Sequence, residues 1–305
     1  MTDDGRPGRP GSSGASSEPD GGVGYAEAID WRAEPAPTGR LRQVLTIAGQ
    51  EYRLAVRNRW AFALTGLFAG FALLVTVFGA SSVGPGRVDA TLVSLAALAT
   101  YLVPLAALVF GYDAIVGADE AGWLDVVFAL PVPRPLIAVG TYLGRGATLA
   151  AATLLGFGTA GAAIVVLAGL VQWPLFAALL FGAVGLGLAF LAVGVFISAL
   201  AAEKTHALGA VLVVWVWFAF VHDLVALAAL AAVELPDAAL SAAVLANPAD
   251  VFRVLVLGSV ETTGGGLAAA VASTSLSVPL LAIALLGWMV LPTVGAALAV
   301  RRRSL

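Results

Sequence analysis

Apolar residues run almost unbroken through six stretches of the chain, near 60–80, 90–112, 146–171, 175–201, 207–233 and 278–300. Apart from His222 and Asp223 in the fifth, charged and ionisable side chains of Asp, Glu, Lys, Arg and His are confined to the intervals between them. None of the runs alternates with the two-residue period of a half-buried strand, so each reads as a helix rather than part of a barrel. A helix crosses the hydrocarbon layer of a bilayer, about 30 Å, with about 20 residues, and every run is long enough. The expected fold is therefore all-α: a polytopic membrane protein with six transmembrane helices. Composition agrees. The chain is 60% hydrophobic and its mean hydropathy is +0.96, whereas soluble domains hold about 45–50% apolar residues.

The intervals carry the remaining information. Residues 1–38 are rich in Gly, Ser, Pro and Asp and too poor in large apolar residues to offset the entropy of ordering, so they read as a disordered tail. Asp3, Asp4 and the lack of an apolar core exclude a signal peptide there. In 39–59, Leu41, Leu45, Ala48, Tyr52 and Ala55 recur at helical spacing, while Arg42, Arg53, Arg57 and Arg59 lie largely off that stripe. Two readings stand: an amphipathic helix in the membrane interface, or a basic cluster that only sets topology. In the first span, Gly66 and Gly70 form a small-xxx-small pair that would admit a neighbouring helix, or are merely tolerated in lipid.

Charge fixes the expected orientation. With six spans both termini share a side, and that side holds 14 of the 16 Lys and Arg residues, leaving Arg87 and Arg253 for the other. The positive-inside rule then places both termini in the cytoplasm of a plasma-membrane protein. The interval 113–145 lies on the same side. It carries Asp113, Asp119, Glu120, Asp125, Arg134 and Arg145 in a chain that is only 11% charged. Asp119 and Glu120 suit the opening of a short helix. Trp123, Val127 and Leu130, widened by Leu124 and Phe128, give it an apolar face, and Pro131, Pro133 and Pro135 stop it. Periodicity alone allows an interfacial connector or a docking element. The interval 234–277, broken by Pro236, Asn247-Pro248 and Gly264 to Gly266, reads as amphipathic helices on the outer face, with a re-entrant candidate near Val251–Leu257. Arg253 there caps or pairs locally, or guards an exit.

Other chemistry is sparse. There is no cysteine, hence no disulfide and no thiolate site. No phosphate-binding loop is present: Glu203 precedes the only Lys-Thr pair, Lys204-Thr205, where glycine is required. Two histidines and two methionines do not make a soft-metal path. His222 and Asp223 lie past the middle of the fifth span, where an ionisable residue is a functional suspect by default. They either line a translocation path or seam, or snorkel outward from a long span. Neighbours in a helix point about 100° apart, so one shared face is not expected of them. A secondary transporter would show internal repeats and several charged spans, and an intramembrane enzyme a nucleophile–base pair or paired metal ligands; neither pattern is found.

The stretch Tyr112-Asp113-Ala114-Ile115, with Gly117, Glu120, Gly122, Leu124, Leu130-Pro131-Val132, Arg134, Gly140 and Gly144-Arg145, resembles the first cytoplasmic loop of ABC transporter type 2 permeases. The nearest branch contains the permeases of nitrous oxide reductase maturation systems. Asn247-Pro248-Ala249-Asp250-Val251-Phe252-Arg253 resembles the Asn-Pro segment before that family's last span. Ala118-Asp119, Trp123 and Thr141 depart from the usual text. The resemblance implies that the loop is a coupling helix, with Gly117, Asp119, Glu120, Gly122, Trp123, Leu124, Val127, Leu130, Pro131 and Arg134 meeting a separate ABC ATPase subunit. It also implies a homodimer or heterodimer of permeases in membrane lipid, no nucleic-acid partner, and export as the direction. The chain itself would bind no cofactor; ATP and Mg2+ would sit on the partner, so this chain is not expected to be an enzyme.

Overall fold

The computed structural model describes residues 39–80, 87–122, 133–168, 173–232, 236–257 and 276–302. The tail 1–38 lies outside them, as do Trp123, Leu124, Asp125, Val127, Phe128, Leu130 and Pro131 of the central loop. Every regular element among the described residues is helical. A short helix α1 (Arg40–Arg57) precedes the first span, α2 (Trp60–Ala80). Then come α3 (Arg87–Gly111), a single turn α4 (Val116–Glu120), α5 (Arg134–Ala168) and α6 (Trp173–Leu200). The fifth span runs from Lys204 to Ala232. It consists of α7 (Lys204–Val216), a π-helical turn (Trp217–Val221) and α8 (His222–Ala232). Helices α9 (Asp237–Leu245) and α10 (Pro248–Leu257) follow, and α11 (Val278–Arg302) ends the bundle.

Six of these helices are long and apolar enough to cross a membrane, and α9 and α10 form a pair bent by 106°. The bend falls at Asn247-Pro248, where proline opens α10; a residue before proline is biased away from helical geometry. Two boundaries differ from expectation. The third span begins at Arg134, so residues 134–145 belong to its helix rather than to the loop. Pro133 precedes that helix and Pro135 lies in its first turn, where a missing N–H costs nothing. Asp119 and Glu120 close the single turn α4, and Gly122 follows in the left-handed region at φ 68°; the short helix expected after them lies outside the described residues.

The core is built around α6, the most buried span. Phe176, Leu179, Phe190 and Leu191 are among its fully enclosed side chains. The fifth span is the least enclosed: Val213, Trp217, Phe220 and Leu224 point outward. In water this surface would be costly; in hydrocarbon it is not, because lipid tails are as apolar as leucine.

Small residues decide how the helices meet. A Cβ on Gly66 or Gly70 would meet nothing within 4 Å, so no helix of this chain packs closely on that pair. The close approach of α2 is made on the other helix, where a Cβ on Gly156 would run into Phe68. The main docking of α1 is likewise received by glycines of α5: a Cβ on Gly140 would lie 2.7 Å from Ile47, and one on Gly144 2.6 Å from the Glu51 Cβ. The face of α1 turned to the protein thus includes Val44, Ile47, Ala48, Glu51 and Ala55. Leu41, Leu45 and Tyr52 of the expected stripe stay exposed. The helix has two apolar edges, one against α5 and one free for the membrane interface.

Candidate functional site

The glycines that seat α1 also bring Arg145 beneath it. From α5, the Arg145 guanidinium donates to Asp113 at 2.6 Å and to the Phe110 carbonyl, also at 2.6 Å. It reaches Glu51 of α1 at 3.4 Å and lies 5.5 Å from the centroid of the Phe110 ring. One cation therefore joins α1, the end of α3, the turn after it and α5. The Phe110 carbonyl belongs to the last turn of α3, whose carbonyls lack helical partners. A charged donor there is favoured by the helix dipole as well.

The turn and α4 are held from below by Ser198. Its hydroxyl oxygen accepts from the backbone N–H groups of Ile115, at 2.9 Å, and Val116, at 3.1 Å. All three residues are buried. Glu120 accepts from the Lys204 backbone N–H at 2.7 Å, which satisfies an orphan donor at the start of the fifth span. Its other oxygen stands 4.0 Å from the Lys204 ammonium. Gly117 packs so closely on the Lys204 stem that a Cβ there would lie 2.9 Å from it. A cleft of about 430 Å3 opens beside this junction, lined by Glu51, Trp60, Asp113, Gly117, Arg145 and Lys204 among others.

Glu51 is in tension. Burial lifts its carboxyl above its ordinary value, and the Arg145 charge and hydrogen bond pull it down. Burial prevails, because the 3.4 Å contact is long for a charge-assisted hydrogen bond.

Of the residues expected to couple, Gly117, Asp119, Glu120 and Gly122 fall on α4 and its end, and Arg134 is the first residue of α5. The anchoring set also includes Glu51 and Ser198, which sequence reasoning missed. The one signal for Ser198 was a lone hydroxyl near the end of an otherwise apolar run. Glu51 gave none, being one charge on a helix rich in them.

A second polar cluster lies where α10 meets the fifth span and the middle of α3. Asp250 is wholly buried and Arg253 nearly so. Arg253 donates to Asp223 at 2.6 Å and to Asp250 at 2.8 Å, and reaches the Tyr101 hydroxyl at 3.3 Å. Its guanidinium lies 5.6 Å from the Tyr101 ring centroid. His222 Nδ1 stands 3.2 Å from Asp250 and 3.8 Å from Asp223. His222 and Asp223 therefore do serve one cluster, contrary to the expectation from ideal helical spacing. The bend at Asn247-Pro248 brings Asp250 and Arg253 up to the fifth span, where both neighbours reach them. Arg253 pairs locally, one of the two readings expected of it.

Asn247 ties the bend to the π turn. Its side-chain amide donates to the Phe218 carbonyl at 3.0 Å and to Asp250 at 2.9 Å, and its oxygen accepts from the Ala249 N–H at 2.9 Å. In the π turn the His222 N–H donates to the carbonyl of Trp217, five residues back. Such turns displace carbonyls from the regular ladder, and side chains are needed to satisfy them.

Residues 45–305 match the family described as ABC-2 family transporter protein. The chain is 38% identical over 261 residues to a protein of Stutzerimonas stutzeri named probable ABC transporter permease protein NosY, covering 82% of this chain and 94% of that one. It is 39% identical over 270 residues to a protein of the same name from Pseudomonas aeruginosa, covering 84% and 95%.

Proposed function

The chain belongs to the ABC-2 family of transporter proteins, and from this we propose that it is the membrane-spanning permease subunit of an exporter driven by a separate ATPase. Two copies, or this chain and a related permease, would form the path. Both termini and the 113–145 interval would face the cytoplasm, a reading supported by the 14 basic residues on that side against two on the other. ATP and Mg2+ would be bound by the motor subunit, and this chain would be no enzyme.

The observation that carries the coupling role is the Arg145 junction. The start of the proposed docking loop is bonded to α1, α5 and α6 at once, through Arg145 and Ser198. Glu120 extends the link to the fifth span. A push on the loop would therefore be passed to several spans through short contacts, as coupling requires. Trp123 and the aliphatic residues near it supply the type of large apolar anchor that fills a partner groove.

The test is purification of the tagged chain from native membranes in mild detergent, with ATPase assay of what accompanies it. An ABC ATPase should co-purify with the wild type. Trp123→Arg and Leu130→Asp should lose it or separate hydrolysis from transport, while the membrane domain still elutes as a folded species. Normal coupling in both variants would refute the loop assignment.

A further inference from the structure

The cluster between α10 and the fifth span has an unbalanced charge. Two carboxylates, Asp223 and Asp250, face one guanidinium, Arg253. Tyr101 from α3 adds a neutral hydroxyl and Asn247 a neutral amide. These, with His222, are the titratable and polar groups that meet there from α3, the fifth span and α10 among the described residues. A histidine and two carboxylates this close form the donor set of a cation site, but the guanidinium already occupies the space between the carboxylates, at 2.6 and 2.8 Å.

What the cluster lacks is a second positive charge, and His222 stands where one belongs. The Asn247 amide spends its hydrogens on the Phe218 carbonyl and Asp250. Its 3.3 Å contact with His222 Nδ1 is thus a neighbouring position rather than a donor to that nitrogen. Nδ1 stands 3.2 Å from Asp250 Oδ2, within ion-pair distance. On its other side, 3.8 Å away, lies Asp223 Oδ1, a buried carboxylate oxygen with no hydrogen-bond partner. Arg253 bridges the two carboxylates from one flank and His222 from the other. With both carboxylates ionised, the ring alternates in sign and sums to zero only when the imidazole is an imidazolium.

We propose that His222, Asp223, Asp250 and Arg253 form a proton-binding site that fastens the bent pair α9–α10 to the fifth span. The bound proton resides on His222. When it leaves, a buried carboxylate loses its counter-charge, and an uncompensated charge in a low-dielectric interior is strongly unfavourable. The cluster then opens, and with it the contact between Asn247 and the π turn. This goes beyond the permease assignment and needs no ATPase partner, so its failure would leave that assignment standing.

The full chain, labelled with 15N-histidine and placed in lipid nanodiscs, provides the test. It has two histidines, and His206 is 72% exposed in its side chain, so His206→Gln leaves a single signal from His222. An unperturbed imidazole, of pKa about 6.5, is about one-tenth protonated at pH 7.5. His222 should instead give the imidazolium signature at that pH, and Asp250→Asn should reduce it. A neutral imidazole in the wild-type cluster at pH 7.5 would overturn the proposal. Hydrogen exchange of residues 237–257 reads the fastening. It should quicken at least tenfold in His222→Gln and stay near wild type in His222→Lys, which keeps the charge. Equal exchange in wild type and His222→Gln would also overturn the proposal. If neither variant folds, the 15N spectrum of the unmutated cluster still decides.

Discussion

Replacing Ser198 by alanine removes one oxygen and strands two buried donors. The hydroxyl accepts from Ile115 N–H at 2.9 Å and from Val116 N–H at 3.1 Å. The site is fully enclosed: Ser198 and Val116 are 0% exposed and Ile115 is 1% exposed. A buried donor left without an acceptor costs about 1–3 kcal/mol, so two would cost roughly 2–6 kcal/mol if nothing relaxed. The turn Tyr112–Ile115 sits at the edge of the bundle and can move toward water, so about 3 kcal/mol is the reasonable centre of that range. At about 1.4 kcal/mol per tenfold, local opening should become roughly 100-fold more frequent. Hydrogen exchange of the peptide spanning 111–122, measured on the purified chain in nanodiscs, reads this directly. Ser94→Ala is the control: that hydroxyl donates to the Ala90 carbonyl within its own helix, on an exposed face, and its loss should leave exchange unchanged. If Ser198→Ala exchanged within threefold of wild type, the hydroxyl would not be what holds the turn to α6. The proposed route from docking loop to bundle would then have to run through Arg145 and Glu120.

Gly144→Leu should detach α1 from α5, since even a Cβ at that position meets Glu51 at 2.6 Å; overpacking of this kind costs about 1–3 kcal/mol or more. Gly66→Leu, with nothing within 4 Å, should be neutral, and thermal unfolding followed by size-exclusion fluorescence separates the two. Glu51 gives a pH test. Its folded value is raised above the ordinary 4.5 by burial, so the folded state binds the proton more tightly than the unfolded one. Stability therefore falls as pH rises from about 4.5 through the raised value, then levels off. Glu51→Gln should flatten that slope in a stability-versus-pH series and cost little at neutral pH. Arg145→Met, by contrast, leaves Asp113 and Glu51 without their cation, and removing one member of a buried ion pair costs about 3–5 kcal/mol when fully enclosed. These groups are only partly enclosed, so a smaller loss is expected, read as a lower unfolding temperature.

The spans and, except for the start of the third, their limits were legible from composition because hydrocarbon offers the backbone no hydrogen bonds. Each crossing must satisfy itself with local helical bonds, and a run of about 20 apolar residues declares it. The first span fell where expected, at Trp60–Ala80, and the last, Val278–Arg302, within two residues of its expected end. The amphipathic helix before the first span was legible too, by its period. Its docking face was legible only in part: Ala48 and Ala55 of the expected stripe do turn to the protein. Leu41, Leu45 and Tyr52 are the larger apolar residues, yet Val44, Ile47 and Ala48 meet the protein, because Gly140 and Gly144 lie on a helix about a hundred residues away in sequence. The span starting at Arg134 was misplaced because charge marked its first turns as loop.

The candidate sites divide along the same line. The charged interval and the Asn-Pro segment stood out in sequence as residue types rare in an apolar chain. That Arg145 would join Glu51 to Asp113, or Arg253 join Asp223 to Asp250, depends on helix register, on a 106° bend and on a π turn. Sequence alone determined that this chain lies in a membrane, with about how many crossings, because burial in lipid is a local property of each segment. Only the tertiary structure decided which charges neutralise one another, because a buried charge needs a partner from another helix and its position is set by packing.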